Sequence, residues 1–525
     1  MEEEKTEIIA NIEQPNDINV PLFLHQLKSI EEMEKLENTK EMALNSTIYL
    51  STKLGILGDL PGYGKSLSVI GLIARTKHNT LKDTYVVEKV RHHPYVSMSK
   101  IEILPQLNCS LILVNISLLS QWMFELNRTL LSYTAICKPS EIEDIDISKY
   151  DVVIVSNNVY NLFSQVFRKK CWKRFIVDEP ASLKLTMDET YAQFYWLITG
   201  TPNELYLKRR NGFLNELLPE EFDTFQHIIL KNEDQLVKNS YEMPITRNIF
   251  YQCAGNLSTL FDGILPDHII EMIQAGNVVG VLNALNAEEE ISIFEAFRLK
   301  KMKRLEELSE DRSDRVEKIK TIKYHLQLLD ERIFRYVAQN QCMICKNPFE
   351  KIFVLSCCQH LYCGNCVEND CPLCKAKSQE IIKIPLKLKE FDSNESESLK
   401  EMKNEKTKID TLMDIVGTAE NKKILIFSNY NETFTVIKKF LDEKKLSYLE
   451  LRGTKEKRDN AIDSYKTGTV NILLLNTIHS GAGLNLQETS DIILYHRLHE
   501  YQKIQVIGRA NRIGRKIQLN VHYLE

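Results

Sequence analysis

Residues 58–66, GDLPGYGKS, have the composition and spacing to hold a chain of phosphates. They follow the apolar run TKLGIL and precede LSVIGLIA, which is predicted helical, so the glycines fall in a strand-to-helix turn. Gly62 and Gly64 would let the backbone wrap closely around phosphates while the helix N-terminus directs N–H groups at them. Lys65 would reach the β and γ phosphates, and Ser66 would hold Mg2+. Asp59 takes the first position of the spacing, where glycine is usual. A second chemical pair stands in WKRFIVDEP, residues 172–180, where an apolar strand ends in Asp178 and Glu179. A strand end suits Asp178 to hold Mg2+ through water and Glu179 to polarise an attacking water. The third concentration is of sulfur: eight of the 12 cysteines fall between Cys342 and Cys374. They are arranged as Cys342-x2-Cys345, Cys358-x-His360-x2-Cys363-x2-Cys366 and Cys371-x2-Cys374. Eight thiol or imidazole ligands suit two tetrahedral Zn2+ ions, and so short a segment has little other means of building a core. Cys357 adjoins Cys358 and competes with it as ligand, the Cys-x-His spacing favouring Cys358.

The elements that must position these groups are legible as buried strands. LILV at 111–114, VVIV at 152–155 and FIV at 175–177 are short continuous apolar runs, the pattern of a parallel sheet covered on both faces. KILIFSNY at 423–430, ILLLNT at 472–477 and DIILY at 491–495 repeat it, predicting a second α/β domain. Between them, residues 257–340 are predicted mostly helical. Ile319, Ile322, Leu326, Leu329 and Ile333 form one apolar stripe at three- and four-residue steps. Residues 389–408, rich in Lys, Glu and Ser, are predicted to be a linker or exposed helix.

Length and composition agree with this division. A chain of 525 residues exceeds what one core ordinarily supports, and 43% apolar with 26% charged residues is the profile of a folded protein. The other cysteines, Cys109, Cys137, Cys171 and Cys253, are scattered, which argues against a secreted disulfide framework and for a reducing compartment. No signal peptide or membrane span is predicted. A net charge of -5 leaves nucleic-acid binding open, because a local basic groove would not show in the sum.

The order of segments resembles the Swi/Snf-type branch of the helicase-like ATPases, over roughly residues 20–220 and 405–520. LFLHQLKSIEEM resembles the family's opening glutamine motif, with Gln26 where adenine contact is expected. LILVNISLLSQW, 111–122, resembles the first nucleic-acid-contacting motif, with Asn115 in place of the usual Pro. LITGTP, 197–202, looks like the motif coupling ATP to DNA. In the second half, LRGTKEKR carries Gly453 and Arg458 of a family segment, and SGAGLNL at 480–486 resembles the motif near DNA and nucleotide. QVIGRANRIG, 505–514, looks like the final motif, with Arg509 and Arg512 as its paired arginines. Such guanidinium groups would stabilise charge on the transferring phosphoryl group. The departures are Pro180 and Ala181 in an acidic box that commonly reads DEAH, Asn511 and Arg515 in the final motif, and IILKNED at 228–234 in place of an arginine-rich segment.

The cysteine spacing resembles a RING finger, which would assign Cys342, Cys345, Cys363 and Cys366 to one ion. Cys358, His360, Cys371 and Cys374 would hold the other. Ile344, Pro372 and Leu373 stand where RING fingers grip a ubiquitin-conjugating enzyme, with Lys375 placed to contact ubiquitin. A RING between two ATPase lobes resembles the DNA-damage-tolerance branch of the family, here in reduced form, with few residues before Gln26 and the chain ending soon after the final motif. Compactness and Lys-, Asn- and Ile-rich composition also suit a large cytoplasmic DNA virus.

The predicted fold is therefore α/β, with two RecA-like parallel-sheet lobes, a helical insertion and a small zinc module. The expected boundaries are an N-terminal extension at 1–20, lobe 1 at 21–225, a helical protrusion and linker at 226–340, a RING-type finger at 341–376, a linker at 377–408 and lobe 2 at 409–525. The resemblance implies an ATP-dependent translocase on double-stranded DNA or remodeller of DNA-bound protein, using ATP, Mg2+ and two Zn2+, with the RING coupling it to ubiquitin transfer. Ligands to the nucleotide and its metal would be Gln26, Asp59, Gly62, Gly64, Lys65, Ser66 and Asp178. Lys65, Asp178, Glu179, Arg509 and Arg512 would carry catalysis. Two other classes compete: a zinc-dependent ubiquitin-ligase or interaction scaffold with weak ATPase activity, and a transcription-associated viral NTPase. Expected partners are double-stranded DNA, a ubiquitin-conjugating enzyme and ubiquitin, and transcription or chromatin proteins, with no membrane. The expected location is intracellular: the nucleus for a cellular protein, the host cytoplasm or virion for a viral one.

Overall fold

The computed structural model describes residues 13–79, 84–93, 96–183, 185–207, 212–241, 244–253, 257–287, 291–308, 313–342, 344–349, 351–366, 371, 380–384, 406–417, 422–476 and 484–524. Cys374, Pro372, Leu373 and Lys375, residues 480–483 of the glycine-rich motif and most of the 377–408 linker lie outside them. The chain divides into two compact units. The first holds residues 1–245, 481–488 and 500–517; the second holds 246–480, 489–499 and 518–525.

In the first unit, helix α1 (Leu24–Thr39) leads through a small antiparallel pair, β1 (Glu41–Ala43) and β2 (Tyr49–Ser51), to β3 (Leu54–Leu57) and helix α2 (Lys65–Arg75). There follow β4 (Thr84–His93), β5 (Val96–Val114), α3 (Leu119–Leu126), β6 (Tyr133–Ile136), β7 (Val152–Ser156), β8 (Cys171–Asp178), β9 (Tyr191–Ile198) and β10 (Ile229–Leu230). The sheet order is β10-β3-β9-β8-β5-β7-β6, parallel throughout, with β4 pairing antiparallel to the first half of β5. Alternation puts Leu111, Leu113, Val153, Val155, Phe175 and Val177 into one core and Ile112, Val114, Ile154, Ile176 and Ile198 into another. Two apolar faces are why these strands are continuous apolar runs. Helix α1 is tied to the sheet by Arg174, whose buried guanidinium bonds both carboxylate oxygens of Glu37 at 2.6 and 2.5 Å, while Trp196 Nε1 donates to the same Glu37 at 2.8 Å.

The second unit contains β11 (Thr246–Tyr251), helices α4 (Asp267–Gln274), α5 (Val278–Leu285), α6 (Ile293–Glu307) and α7 (Ser313–Gln339), and the short strands β12 (Ile352–Leu355), β13 (Leu361–Cys363) and β14 (Ile381–Lys383). Then come α8 (Lys408–Gly417), β15 (Ile424–Ser428), α9 (Asn431–Glu443), β16 (Tyr448–Glu450), β17 (Ile472–Asn476), β18 (Asp491–Leu494) and β19 (Leu519–Leu524). The second sheet, β11-β19-β18-β15-β17-β16, is parallel throughout. Lys408 Nζ fastens the helical insertion to it, donating to the carbonyls of Leu524 at 2.8 Å, Tyr495 at 3.3 Å and Gln274 at 3.4 Å.

Within residues 226–340, expected to hold a helical protrusion and linker, Ile229–Leu230 join the first sheet as β10 and Thr246–Tyr251 join the second as β11. A two-residue strand carries no periodicity by which to recognise it. The cysteine-rich segment also has more to build with than zinc. Its antiparallel sheet β13-β12-β14 places Ile352, Val354, Leu361 and Ile384 in one core with Leu329 and Ile333 of the α7 stripe, and Gln359 Oε1 accepts from the buried N–H of Ile293 at 3.0 Å. Among the described residues, no helix is long and apolar enough to cross a membrane.

Candidate nucleotide site

The phosphate loop leaves β3 and enters α2 through two positive-φ glycines, Gly62 at 92° and Gly64 at 78°. At Gly62 space as well as backbone demands glycine, since a Cβ there would sit 2.3 Å from the carbonyl oxygen of Asn511. The loop lines a cavity of about 470 Å3 together with Gln26, Lys65, Ser66, Asp178, Glu179, Arg509 and Arg512, all within the first unit. Asp178 and Glu179 arrive from the end of β8, and the arginines from the helix Glu500–Ala510 and the loop after it. That helix packs against the phosphate loop through Gly508, where a Cβ would meet Pro61 at 2.4 Å.

Lys65 Nζ donates to the loop's own carbonyls, Asp59 at 2.7 Å and Leu60 at 3.2 Å. Burial lowers its pKa, opposed by Glu179, Asp59 and Asp178 and reinforced by Arg512. Burial raises the Asp178 carboxyl to about 7, with the Glu179 charge adding to the rise and a Trp122 hydrogen bond and Lys65 opposing it. Burial raises Glu179 too, against Lys65 and the hydrogen bonds it accepts: Gly200 N at 3.3 Å on Oε1 and Thr199 Oγ1 at 3.1 Å on Oε2. Arg509 and Arg512 are each lowered to about 10 by desolvation. Repulsion from Arg512 adds to the fall at Arg509, while the attraction of Glu125 opposes the fall at Arg512. Both stay cationic at neutral pH, so the cavity wall sets two guanidinium groups, with Lys65 and Arg128, opposite carboxyl groups that burial makes costly to ionise. Such an arrangement suits a polyanion with a divalent metal.

Two of the predicted residues, both among those described, carry contacts of their own. Gln26 accepts from Phe23 N at 2.9 Å and donates to Gly64 O at 3.3 Å, bracing the loop from α1. The Asp59 carboxylate does not line the cavity: it accepts from Asn232 N at 2.7 Å and Asn232 Nδ2 at 2.8 Å, so it anchors the loop rather than facing a ligand. Asn232 lies in IILKNED, the segment poor in arginine. Sequence reasoning missed Trp122, fully buried on α3, whose Nε1 donates to Asp178 Oδ2 at 2.8 Å, and also Phe23, Glu125 and Arg128 on the cavity wall. A signal existed for Trp122, because a buried indole requires an acceptor, but its partner stands 56 residues away.

In the cysteine-rich segment, the sulfurs of Cys342, Cys345, Cys363 and Cys366 lie within 4.8 Å of one another, with Cys345–Cys363 at 3.5 Å and Cys363–Cys366 at 3.3 Å. Zinc–sulfur bonds of about 2.3 Å place tetrahedral sulfurs about 3.8 Å apart, so these four fit a zinc ion. Cys357, Cys358 and Cys371 form a second group, with Cys358 and Cys371 sulfurs 3.6 Å apart. His360 is not part of that group.

Comparison with known proteins bears on the same segments. A family model for the SNF2-related domain matches residues 25–243, and one for the helicase conserved C-terminal domain matches residues 407–514. Over 98% of its length the chain is 25% identical to putative helicase R592 of Acanthamoeba polyphaga mimivirus, covering 76% of that protein. It is 24% identical over 35% of its length to the E3 ubiquitin-protein ligase SHPRH of Homo sapiens, of which it spans 12%. With ATP-dependent helicase fft1 of Schizosaccharomyces pombe it shares 25% identity over 91% of its length, spanning 49% of that protein. A solved structure, the Sulfolobus solfataricus SWI2/SNF2 ATPase core in complex with dsDNA, is similar at 14% identity and a TM-score of 0.33, covering 98% of this chain and 90% of that one.

Proposed function

This chain belongs to the SNF2-related helicase-like ATPases, and from that premise we propose that it spends ATP to move along double-stranded DNA and displace or remodel protein bound there. The observation that supports the reading is the gathering of Lys65, Ser66, Asp178, Glu179, Arg509 and Arg512 around one cavity. In the proposed reaction the α2 N-terminus and Lys65 bind the phosphates, and Ser66 and Asp178 would hold Mg2+, whose charge would offset that of the phosphate oxygens. Glu179, fixed by Thr199 and Gly200, orients the attacking water and takes its proton. Arg509 and Arg512 stabilise the charge that develops on the transferring group. The Glu500–Ala510 helix is joined in sequence to β18 and β19, giving events at the phosphates a covalent route to the second sheet. Contacts to the DNA backbone would be independent of sequence and weakened by salt.

The test is ATP turnover with and without duplex DNA. The proposal expects stimulation by duplex that fades between about 50 and 200 mM salt, and no turnover in Lys65→Ala. A rate indifferent to DNA would refute the motor, and a rate indifferent to Lys65→Ala would refute the site.

A second reading adds ubiquitin transfer through the zinc module. It is favoured by the two thiol groupings and by the likeness to a protein named as an E3 ubiquitin-protein ligase. Two Zn2+ per chain are expected by elemental analysis, falling to one in Cys345→Ser. Ubiquitin chains formed with a ubiquitin-conjugating enzyme should persist in Lys65→Ala and disappear in Cys345→Ser. Zinc at two per chain without chain formation would leave a purely structural module.

A further inference from the structure

The loop that follows the Glu500–Ala510 helix carries Arg512 and is held at two points. Ile513 N donates to Gly62 O of the phosphate loop at 3.4 Å, and Gly514 N donates to the hydroxyl of Tyr241 at 2.7 Å. The Tyr241 hydroxyl in turn donates to Arg515 O at 3.4 Å. Its ring meets Phe23 edge-on with centroids 5.1 Å apart, and Phe23 lines the cavity beside Gln26. Tyr241 therefore touches the Gln26 end of the cavity through its ring and the arginine loop through its oxygen.

The segment before it is equally well anchored. Asn232 holds Asp59, and Ser240 Oγ lies 2.6 Å from His25 Nδ1, whose Nε2 is 2.9 Å from the Tyr63 carbonyl. Residues 232–241 thus grip the phosphate loop while presenting Tyr241 to residues 514–515. Arg515 stiffens the other side of the loop, its buried guanidinium bonding Ala510 O at 3.1 Å and Ile517 O at 2.5 Å across the helix C-terminus.

We propose that Tyr241 is a positioning residue that sets Arg512 against the phosphates according to what fills the cavity beside Phe23, so that a bound base helps to place the guanidinium. This rests on the ATPase reading above. A base pressed against Phe23 and Gln26 would fix the Tyr241 ring, and the hydroxyl would fix the arginine loop. A triphosphate without a base would press on neither Phe23 nor Gln26 and so would add nothing to that chain of contacts.

The experiment uses the full chain and begins with wild-type turnover and its loss in Lys65→Ala; failure there removes the ATPase reading itself. With that in hand, Tyr241→Phe keeps the ring and deletes both hydrogen bonds. We expect kcat for ATP to fall about tenfold, on the order of the net worth of the short bond to Gly514 with the longer one to Arg515 adding little, with KM changed less than about twofold. In an Arg512→Ala background the same substitution should change the residual rate by less than about twofold, since the group being placed is gone. The ratio of kcat for ATP to kcat for inorganic tripolyphosphate should narrow in Tyr241→Phe. Wild-type kinetics in Tyr241→Phe, an equal loss in both backgrounds, or an unchanged ratio would overturn the proposal. Matched thermal midpoints of wild type and Tyr241→Phe separate positioning from stability. If that variant unfolds, Tyr241→His, which keeps a ring and a polar edge, must recover part of the ATP rate.

Discussion

Arg512→Ala should lower kcat for ATP hydrolysis by about a thousandfold or more, the range in which an arginine acting on a transferring phosphoryl group is found. The half-buried side chain lines the cavity with Nε donating to Gly508 O at 3.0 Å, a bond that leaves its two terminal nitrogens outside that contact. If the guanidinium meets the charge that gathers in the transition state, while Lys65 and the loop amides hold the ground state, the loss should fall on kcat rather than on KM. Arg512→Lys should recover little, because a single ammonium cannot reproduce the planar fork. Steady-state phosphate release across ATP concentrations decides it. A rise in KM with kcat preserved would make Arg512 a binding residue and remove it from the chemistry.

Glu179→Gln should lower kcat by about a hundred- to ten-thousandfold, the usual worth of a general base, while leaving ATP affinity nearly intact. The amide is isosteric, and it can still accept from Gly200 N and meet the Thr199 hydroxyl, so the loop geometry should survive. Only proton acceptance is lost. Equilibrium binding of a fluorescent ATP analogue alongside single-turnover hydrolysis separates the two effects, and a parallel loss of both would mean that the substitution collapsed the site. Glu179 adopts φ of 46°, an uncommon conformation for a non-glycine residue, and its carboxylate bonds directly to residues 199 and 200. Contact between the acidic box and LITGTP therefore exists without an imidazole at position 181, where Ala181 is buried in the core.

The same site divides what was legible in the chain from what was not. Local features were readable because their causes are local. Continuous apolar runs at 111–114, 152–155, 424–426 and 472–475 lie in buried parallel strands because both faces must be covered. Residues 58–66 form a strand-to-helix turn because glycine adopts the positive-φ backbone at 62 and 64 without strain. The stripe from Ile322 to Ile333 packs inward because its helical period matches one face. Ile229–Leu230 carried no such signal, since β10 is too short to own a period and is held by its neighbour β3.

Sequence alone thus determined the α/β character of both halves, the phosphate-holding turn and the clustering of sulfur ligands, since each follows from backbone conformation, periodicity or spacing over a few residues. Tertiary structure alone decided that Trp122 steadies Asp178, that Asp59 turns to Asn232 instead of the cavity, that β12 shares a core with α7, and that Tyr241 bonds a glycine 273 residues further on. Those contacts follow from the placing of β8 between β9 and β5 and from the return of the Glu500–Ala510 helix to the phosphate loop, and no local pattern of side chains encodes which distant surfaces will meet.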